Sequence, residues 1–516
     1  MDFMNFMNAM KSELDNRKTL TTNGAVAYET SGKELLDFLF AVTALRSADE
    51  SNIKSKFANV YFEEPLTAVQ FLFWLRDCRG GNGERRIFRI CLDWLAENKP
   101  SVAKAVIDLV PEYARWDDLW GLLDTELKDD IVKSVSNKLE EDVNATHPSL
   151  LAKWLPSENT SSHNTRRFAE IIRSGLGMTP KQYRQTLSKL RKRIDVVERK
   201  MSAKEWNSID YQTVPSQANI KYNNAFLRND EVRRREFLNA LSHGEAKINA
   251  STLQPHEIVN KYVSISGFWN TGRVREYDET LEQLWKALPN ITIGNSLVVR
   301  DGSGSMTSGY GTKVRPLDVA TALSIYMADH NTGIWKDKFI TFSASPKIIN
   351  LSNCTTLRDK LIETYNHDEC SNTNIEATMM LILQTAINNH CSQSEMPQKI
   401  IICSDMQFDN CVVCNSTSRS GWWDSGVDKT LFENIAEEFN RHGYMMPKII
   451  FWNLAGQVNN TIPMQKNELG VVLMSGFSVH LLNMIMSGKT DPYEVILETL
   501  NSERYALVKN AVKHLV

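Results

Sequence analysis

The sequence predicts an α plus α/β protein with two parts: an α-helical repeat region over residues 1–288 and a doubly wound, mostly parallel sheet domain over residues 289–516. The first part consists of apolar runs of helical length with charged flanks and short connections. The second part alternates short apolar runs with helix-length segments, which is typical of a parallel sheet with helices on both faces. A chain of 516 residues is long enough for about two to four domains.

Apolar runs define the helices of the first part. They are GKELLDFLFAVTALR (32–46), LTAVQFLFWLRDC (66–78), RIFRICLDWLAEN (86–98) and PEYARWDDLWGLLD (111–124). The glycine-rich stretch RGGNGERR (79–86) lies between two of them, and we expect an inter-helix turn there with Gly83 as a cap. The alternative is a phosphate-binding loop that offers backbone N–H groups and arginine side chains to the anion.

Residues 166–204 form a basic segment with 12 Lys and Arg against 3 Asp and Glu. Within it, residues 183–200 place apolar side chains at helical spacing, which predicts an amphipathic helix with a cationic outer face; these side chains are Leu187, Leu190, Ile194 and Val197. The whole chain has a net charge of -3, so only a local patch could bind a polyanion. The alternative is a solvated helix face balanced by the acidic stretches 124–130 and 140–142.

The second part contains five apolar runs that predict buried strands. They are SLVVR (296–300), KFITFS (338–343), KIIICS (399–404), KIIFWNL (448–454) and GVVLMSG (470–476). Helix-length segments separate them, at 316–330, 374–391, 430–442 and 477–487. Strand–helix alternation of this kind implies right-handed crossovers between parallel strands.

The stretch LVVRDGSGSM brings small oxygen-bearing side chains to the end of the first of these strands. In open α/β sheets ligands bind at the carboxyl ends of strands, and carboxylate and hydroxyl oxygens suit Mg²⁺. A threonine just before a later helix and an aspartate just after another strand offer further ligands. The residues expected to converge at one edge of the sheet are Asp301, Ser303, Ser305, Thr373 and Asp405.

Other readings of this stretch fit less well. A phosphate-binding P-loop needs a lysine where Tyr310 stands, and the flanks of Ser303 do not match the G-x-S-x-G elbow of serine hydrolases. A structural alternative remains, in which the stretch is a Gly/Ser-rich turn capping the helix near residue 316. Because no histidine has a recognisable nucleophile or acid–base spacing, we expect a non-enzymatic protein.

The cysteines and the hydropathy pattern indicate in which cellular compartment the protein is expected. The eight cysteines are scattered, which favours reduced thiols in a cytoplasmic protein, and the N-terminus lacks the pattern of a secretory signal. No apolar run approaches the ~20 residues needed to cross a bilayer. Cys411 and Cys414 form a C-x-x-C pair, but a structural zinc site needs four ligands. Cys403 and His442 are candidates for the other two, but their spacing does not identify them as ligands. Zinc binding there stays open.

The segments DGSGSM and SDMQFD, with Thr373 between them, resemble the metal-ion-dependent adhesion site of the von Willebrand factor A fold. The resemblance implies that Asp301, Ser303, Ser305, Thr373 and Asp405 hold Mg²⁺ or another divalent cation. It also implies a protein partner that brings an acidic group to the metal. Arg300 departs from the pattern, because such domains usually have a small or apolar residue at that position.

A longer series of segments is similar to the family called domain of unknown function 2828. These segments are TTNGAVAYETSGKELLDFLF (21–40), LRDCRGGNGERRIF (75–88), KWLPSENTSSHNTRRFA (153–169), VPSQANIKYNNAFLRND (214–230), SDMQFD (404–409), IIFWNL (449–454) and SGFS (475–478). That family in turn resembles the Ro/TROVE proteins, which join a HEAT-like helical repeat region to a von Willebrand A domain and bind non-coding RNA.

Together with the basic segment, this resemblance implies an RNA-binding protein with a small non-coding RNA as its partner. The residues expected to contact RNA are Arg166, Arg167, Arg184, Lys189, Arg191, Lys192, Arg193 and Lys200. The alternative is a metal-dependent protein–protein adaptor or structural component that binds no RNA.

Overall fold

A computed structural model describes residues 18–20, 26–265, 272–307, 314–342, 346–367, 375–406, 431–455, 471–485 and 491–516. The chain forms two compact units. The helical unit comprises Glu50–Leu253, Glu279–Leu288 and Leu500–Val516, and the sheet unit comprises Met1–Asp49, Gln254–Asp278 and Pro289–Thr499. The predicted α plus α/β class is therefore confirmed. The two units interleave along the chain, in contrast to the single boundary that we predicted between residues 288 and 289.

The described helices are numbered in chain order. They are α1 (Glu34–Leu45), α2 (Glu50–Glu63), α3 (Pro65–Arg76), α4 (Arg86–Asn98), α5 (Pro100–Val106), α6 (Val110–Tyr113), α7 (Lys128–Asn144), α8 (Leu151–Trp154), α9 (His163–Gly175), α10 (Pro180–Ile194), α11 (Val197–Ser202), α12 (Ser216–Asn229), α13 (Glu231–Ser242), α14 (Pro255–Tyr262), α15 (Glu279–Lys286), α16 (Pro316–His330), α17 (Leu357–Asn366), α18 (Ile375–Asn388), α19 (Leu431–Arg441), α20 (Leu482–Ile485), α21 (Pro492–Leu500) and α22 (Ala506–Val512). None of these helices is long and apolar enough to cross a membrane.

The described strands form one large sheet and two small antiparallel pairs. They are β1 (Lys18–Leu20), β2 (Val26–Tyr28), β3 (Val263–Ile265), β4 (Gly272–Val274), β5 (Ser296–Asp301), β6 (Lys338–Phe342), β7 (Ile348–Asn350), β8 (Lys399–Ser404), β9 (Lys448–Asn453) and β10 (Val471–Ser475). The six-stranded sheet has the order β10-β9-β8-β5-β6-β7. All its neighbours are parallel except β7, which pairs antiparallel with β6 and was not predicted because it is only three residues long.

Helix α3 is the central helix of the helical unit. Its residues from Ala68 to Arg76 are all buried, as expected for a helix surrounded by others. Helices α2, α4 and α22 pack against it. The C-terminal segment is further anchored to the residue that follows α3, since Arg504 Nη2 donates to Asp77 Oδ1 at 2.7 Å and the Tyr505 hydroxyl donates to Asp77 Oδ2 at 3.1 Å.

The stretch RGGNGERR forms an inter-helix turn, as we expected. Asn82 N donates to Trp74 O at 3.1 Å, and Glu84 N donates to Leu75 O, so these backbone groups close the turn onto the end of α3. Gly83 does not cap a helix. It lies inside the turn with a φ of +76°, a conformation that glycine adopts without steric cost.

The predicted single helix over residues 183–200 is wrong in one respect, because it is two helices. Asp195 has a φ of +56° and ends α10, so Val197 belongs to α11 and not to the same apolar stripe. Aspartate tolerates this left-handed conformation better than most residues. Its carboxylate forms an ion pair with Lys200, whose Nζ lies 2.6 Å from Asp195 Oδ2, and this contact connects α10 with α11.

Helices cover both faces of the large sheet. Helix α16 lies on one face against β5, β6 and β8. On the other face, buried side chains of α18 and α19, such as Met379 and Phe439, join the side chains of the strands in one apolar cluster. This two-sided burial explains why the strands read as continuous apolar runs.

Helix α1 explains why the N-terminal segment belongs to the sheet unit. Nine of its twelve residues are buried, and it packs against edge strand β10. The backbone N–H of Thr43 donates to Ser475 Oγ at 3.2 Å, and Asn453 Nδ2 donates to Phe40 O at 3.0 Å. Linear patterning does not identify such a partner, because any apolar helix face can cover any apolar surface.

We predict that Asp77→Ala destabilises the protein by about 2–3 kcal/mol, because it leaves the Arg504 guanidinium and the Tyr505 hydroxyl without their buried acceptor. Urea unfolding of the full chain followed by circular dichroism measures this change. The control is Lys509→Ala, which removes an exposed hydrogen bond to Asn501 and is expected to cost at most about 0.5 kcal/mol. Equal unfolding midpoints for the two variants would contradict the anchoring role of Asp77.

Candidate metal centre

The strand order places the candidate site at a topological switch point. From central strand β5 the chain moves to β6 on one side and later returns to β8 on the other side. Ligand sites of open α/β sheets form at such points, because the two flanking connections diverge and leave a crevice. Asp301 is the last residue of β5 and Asp405 directly follows β8. The register pairs Arg300 with Cys403, so the two aspartates project from the same carboxyl edge.

A network of short hydrogen bonds fixes the Asp301 carboxylate. The backbone N–H of Ser303 donates to Oδ1 at 2.8 Å, and the Ser404 hydroxyl donates to Oδ2 at 2.5 Å. The hydroxyl oxygens of Ser303 and Ser305 lie 3.0 Å apart. The turn Gly304–Thr307 is a single 3₁₀ turn that carries Ser305 back toward the strand end. Three serine side chains, those of Ser303, Ser305 and Ser404, therefore lie around the Asp301 carboxylate.

The site concentrates negative charge in a buried place. Asp301 is 0% exposed and Asp405 is 2% exposed. Burial, and then the neighbouring Asp405 carboxylate, raise the pKa of Asp301 to about 7, although the hydrogen bonds from Ser404 and Ser303 act in the opposite direction. Two buried carboxylates close together are costly unless a cation lies between them.

The donor set fits a hard divalent cation. Two carboxylates and two hydroxyls supply only oxygen, which Mg²⁺ prefers, and fewer than the six ligands of its octahedral shell. Over the residues that the structure describes, no group of three or more His, Cys, Asp or Glu side chains could hold a metal, so a soft-ligand centre has no donors there. Thr373, the fifth predicted ligand, lies outside the described residues, as do Cys411 and Cys414.

Backbone strain also occurs at this edge. Met406, immediately after Asp405, has a φ of +64°, which is uncommon for a residue with a side chain. Its N–H donates to Ser404 Oγ at 3.1 Å, so the same hydroxyl holds both the strained turn and the Asp301 carboxylate. Strained residues of this kind cluster at functional sites. Ser404 was missed in the sequence, although its position as the last residue of a buried strand directly before Asp405 is a usable signal.

Arg300 is accommodated without crowding the site. It is fully buried and projects to the opposite face of β5 from Asp301, since successive side chains of a strand alternate. Its Nε donates to Thr321 Oγ1 of α16 at 2.9 Å, and its guanidinium lies 5.9 Å from the centre of the Tyr365 ring. The arginine that departs from the von Willebrand pattern therefore contacts the helix layer on that face of the sheet and not the candidate site.

Three of the residues expected to bind RNA make hydrogen bonds or ion pairs within the helical unit. Arg191 donates to the carbonyl oxygens of Ala152 and Leu155, at 2.8 and 2.9 Å. Arg193 donates to Val143 O at 2.9 Å and so satisfies the end of α7. Lys200 pairs with Asp195 and donates to Ser208 O at 2.9 Å. Each of these side chains thus donates to at least one backbone carbonyl oxygen of the unit.

The other five predicted RNA contacts are exposed. Arg167 makes a bidentate ion pair with Asp124, and Arg184 pairs with Glu158 at 3.0 Å. The remaining three are Arg166, Lys189 and Lys192. Among the described residues these three make no hydrogen bond or ion pair, so they are available to a ligand.

Sequence comparison identifies the family. Residues 21–115 and 122–291 match a domain of unknown function (DUF2828), and residues 295–513 match a domain of unknown function (DUF7788). A relative, Uncharacterized protein L728 of Acanthamoeba polyphaga mimivirus, is 32% identical over 534 residues, covering 95% of this chain and 88% of the relative. The crystal structure of Deinococcus radiodurans RO (RSR) protein matches with a TM-score of 0.42 and 13% identity over 94% of this chain and 100% of that chain, a likeness too coarse to assign a function. The predicted family is thus confirmed: the chain belongs to the DUF2828 family.

Proposed function

We propose that this chain is a non-enzymatic binding protein whose sheet unit holds Mg²⁺ and presents it to an acidic group of a protein partner. The observation that carries the proposal is the pair of buried carboxylates, Asp301 and Asp405, at the carboxyl ends of neighbouring parallel strands at a switch point. A divalent cation neutralises both charges, and Ser303 and Ser305 add neutral oxygens beside it. The resemblance of the DGSGSM segment to the von Willebrand adhesion site supports the same assignment.

The residues present have separate tasks in this proposal. Asp301 is oriented by Ser404 and by the backbone of Ser303, so its carboxylate is fixed before a cation arrives. Because two carboxylates and two hydroxyls do not complete an octahedral shell, coordination positions remain for water or for a carboxylate from a partner. A metal held in this way supplies electrostatic attraction for an acidic side chain, and no covalent chemistry is needed.

We predict that Mg²⁺ stabilises the wild type by about 2.7 kcal/mol at a concentration 100 times its dissociation constant. The matched variant Asp405→Asn is expected to gain no stability from Mg²⁺, whereas the surface control Asp129→Asn, whose side chain is 93% exposed, should respond like the wild type. In EDTA, Asp301→Asn should raise the free energy of unfolding by on the order of 1 kcal/mol, because it removes a buried charge. Thermal unfolding with and without Mg²⁺ measures all three effects.

An equal response of Asp405→Asn and the wild type to Mg²⁺ would contradict the site. So would a loss of stability for Asp301→Asn in EDTA, since the carboxylate would then be stabilising without a cation. Partner capture is a separate readout: it should require Mg²⁺, and EDTA should abolish it.

RNA binding by the helical unit is a second candidate function. It is favoured by the three exposed cations of α9 and α10, namely Arg166, Lys189 and Lys192, which make no described contact. Phosphate contacts from such side chains give salt-dependent binding without sequence preference. Arg191, Arg193 and Lys200 keep their charge, but their donor groups already make hydrogen bonds or an ion pair within the unit.

We predict that the triple variant Arg166→Glu, Lys189→Glu and Lys192→Glu binds single-stranded RNA of every sequence more weakly. The logarithm of the wild-type affinity should fall against the logarithm of salt concentration with a slope of about 0.7 per phosphate contacted, and the slope should be smaller in the variant. The control changes three other exposed cations by the same total charge: Lys221→Glu, Arg235→Glu and Lys247→Glu. If the wild type binds no RNA at low salt, the second candidate function fails and the adaptor without RNA is favoured. If both triple variants bind RNA equally, Arg166, Lys189 and Lys192 are not its contacts.

A further inference from the structure

The helical unit contains a cavity of about 550 Å³ that takes part in neither function proposed above. Helices α2 and α4, the turns between α6 and α7, helix α8 and helix α9 all contribute to its walls. This volume falls within the range of about 300–1,000 Å³ that is typical of small-molecule sites. Its charged lining residues are four acids and one arginine, namely Glu50, Asp93, Asp117, Asp118 and Arg89.

Two of these acids are occupied by arginines. Asp118 is 3% exposed and accepts a hydrogen bond from Arg89 Nε at 2.5 Å, and Asp117 accepts one from Arg89 Nη2 at 3.1 Å. Three arginines outside the lining of the cavity also contact this pair of acids: Arg76, Arg85 and Arg115. Asp117, Asp118 and Arg89 therefore satisfy one another and shape the wall.

The other two acids have acceptor oxygens available to a ligand. Glu50 is exposed in the first turn of α2 and, among the described residues, makes no hydrogen bond or ion pair. Asp93 pairs with Lys54 through Oδ2 at 2.7 Å, and its Oδ1 receives no hydrogen bond from the described part of the chain. Because an ionised carboxylate can only accept hydrogen bonds, these oxygens require a ligand that carries donor groups.

The charges around the cavity balance. Four bases outside the lining pair with its acids, namely Lys54, Arg76, Arg85 and Arg115, and with Arg89 they supply five positive charges. The four lining acids, together with Glu97, which shares Lys54 at 2.9 Å, supply five negative charges. Neither a free cation nor a free anion gains a net attraction from such a set. An uncharged ligand rich in donor groups fits it better.

Aromatic rings form another part of the wall. Trp120 is 6% exposed, and its Nε1 donates to Trp154 O at 3.3 Å, so the turn that carries Trp120 holds α8 in place. Trp154 and Phe168 are half-buried, which leaves part of each ring accessible to a ligand in the cavity. The face of an aromatic ring is negative and attracts C–H groups, which are slightly positive. The walls thus combine hydrogen-bond acceptors with ring faces.

We propose that this cavity binds a neutral saccharide, whose hydroxyl groups donate to Glu50 and Asp93 and whose C–H face packs against Trp154 and Phe168. A nucleoside also has hydroxyl groups and a flat surface, but its base carries acceptor atoms at fixed positions, and carboxylates repel these. A hydroxyl group rotates, so it can always turn its hydrogen toward a carboxylate. The proposal depends neither on the metal centre nor on RNA binding.

The first experiment titrates the full-length protein with glucose, galactose, mannose and N-acetylglucosamine, and follows calorimetric heat and tryptophan fluorescence. We expect at least one of these sugars to bind with a dissociation constant of about 1–10 mM, as befits a ligand with so few atoms. Packing of the sugar against Trp154 should change the fluorescence at the same concentrations. If none of the four sugars binds at concentrations well above this range, the proposal is overturned.

Competition separates the saccharide from other classes of ligand. Choline represents the cations, AMP the anions and adenosine the nucleosides, and each should bind more weakly than the best sugar. Tighter binding of any of the three would overturn the choice of a saccharide. Sugar binding should be equal in EDTA and in Mg²⁺, whereas a loss in EDTA would mean that a metal ion, and not this cavity, holds the sugar.

Variants with matched controls locate the site. Glu50→Gln replaces one acceptor oxygen by a donor, and Phe168→Leu keeps apolar bulk without the ring face, so each should weaken sugar binding by about fivefold or more. The controls are Glu236→Gln and Phe62→Leu, which change an exposed glutamate and an exposed phenylalanine outside the lining and should leave the affinity unchanged. Circular dichroism verifies that each variant is folded. Unchanged affinity in both cavity variants would overturn the assignment.

Discussion

The parallel pairing of β5 with β8 is the constraint on which the candidate metal centre depends. These strands are separated by almost one hundred residues of chain, and their pairing brings Asp301, Ser404 and Asp405 to one edge of the sheet. Helices on both faces bury the strands completely, so the carboxylates at their ends are withdrawn from water. The electrostatic strain at that edge is a consequence of the topology and not of any unusual residue.

The helical unit depends on arginines in a different way. Arg191 and Arg193 satisfy backbone carbonyls, and Arg504 holds the C-terminal segment at Asp77. Such side chains are structural although they lie in segments that look cationic. The distribution of cations within the fold, and not the charge of a segment, therefore decides where an anion can bind.

Periodicity predicted the regular elements well. The predicted strands 399–404 and 296–300 match β8 and β5 to within one residue, and the predicted helix 316–330 coincides with α16. Buried helices and strands have strong apolar patterns in the sequence, and for this reason their bounds could be predicted. The break at Asp195 was missed, since a left-handed residue can interrupt a helix without changing the spacing of the leucines before it. The three-residue strand β7 was missed because it is too short to show a pattern.

By itself the sequence determined the fold class, the family, and the two aspartates at the strand ends that are candidate ligands, because each of these depends on local pattern. Only the tertiary structure decided which cations make hydrogen bonds within the fold and that Ser404 donates to Asp301. It also decided that α1 belongs to the sheet unit and that the C-terminal segment belongs to the helical unit. It also assembled the cavity lined by Trp120, Trp154 and Phe168. These features require contacts between residues far apart in the chain, and such contacts follow from packing and charge pairing, which no short stretch of sequence specifies.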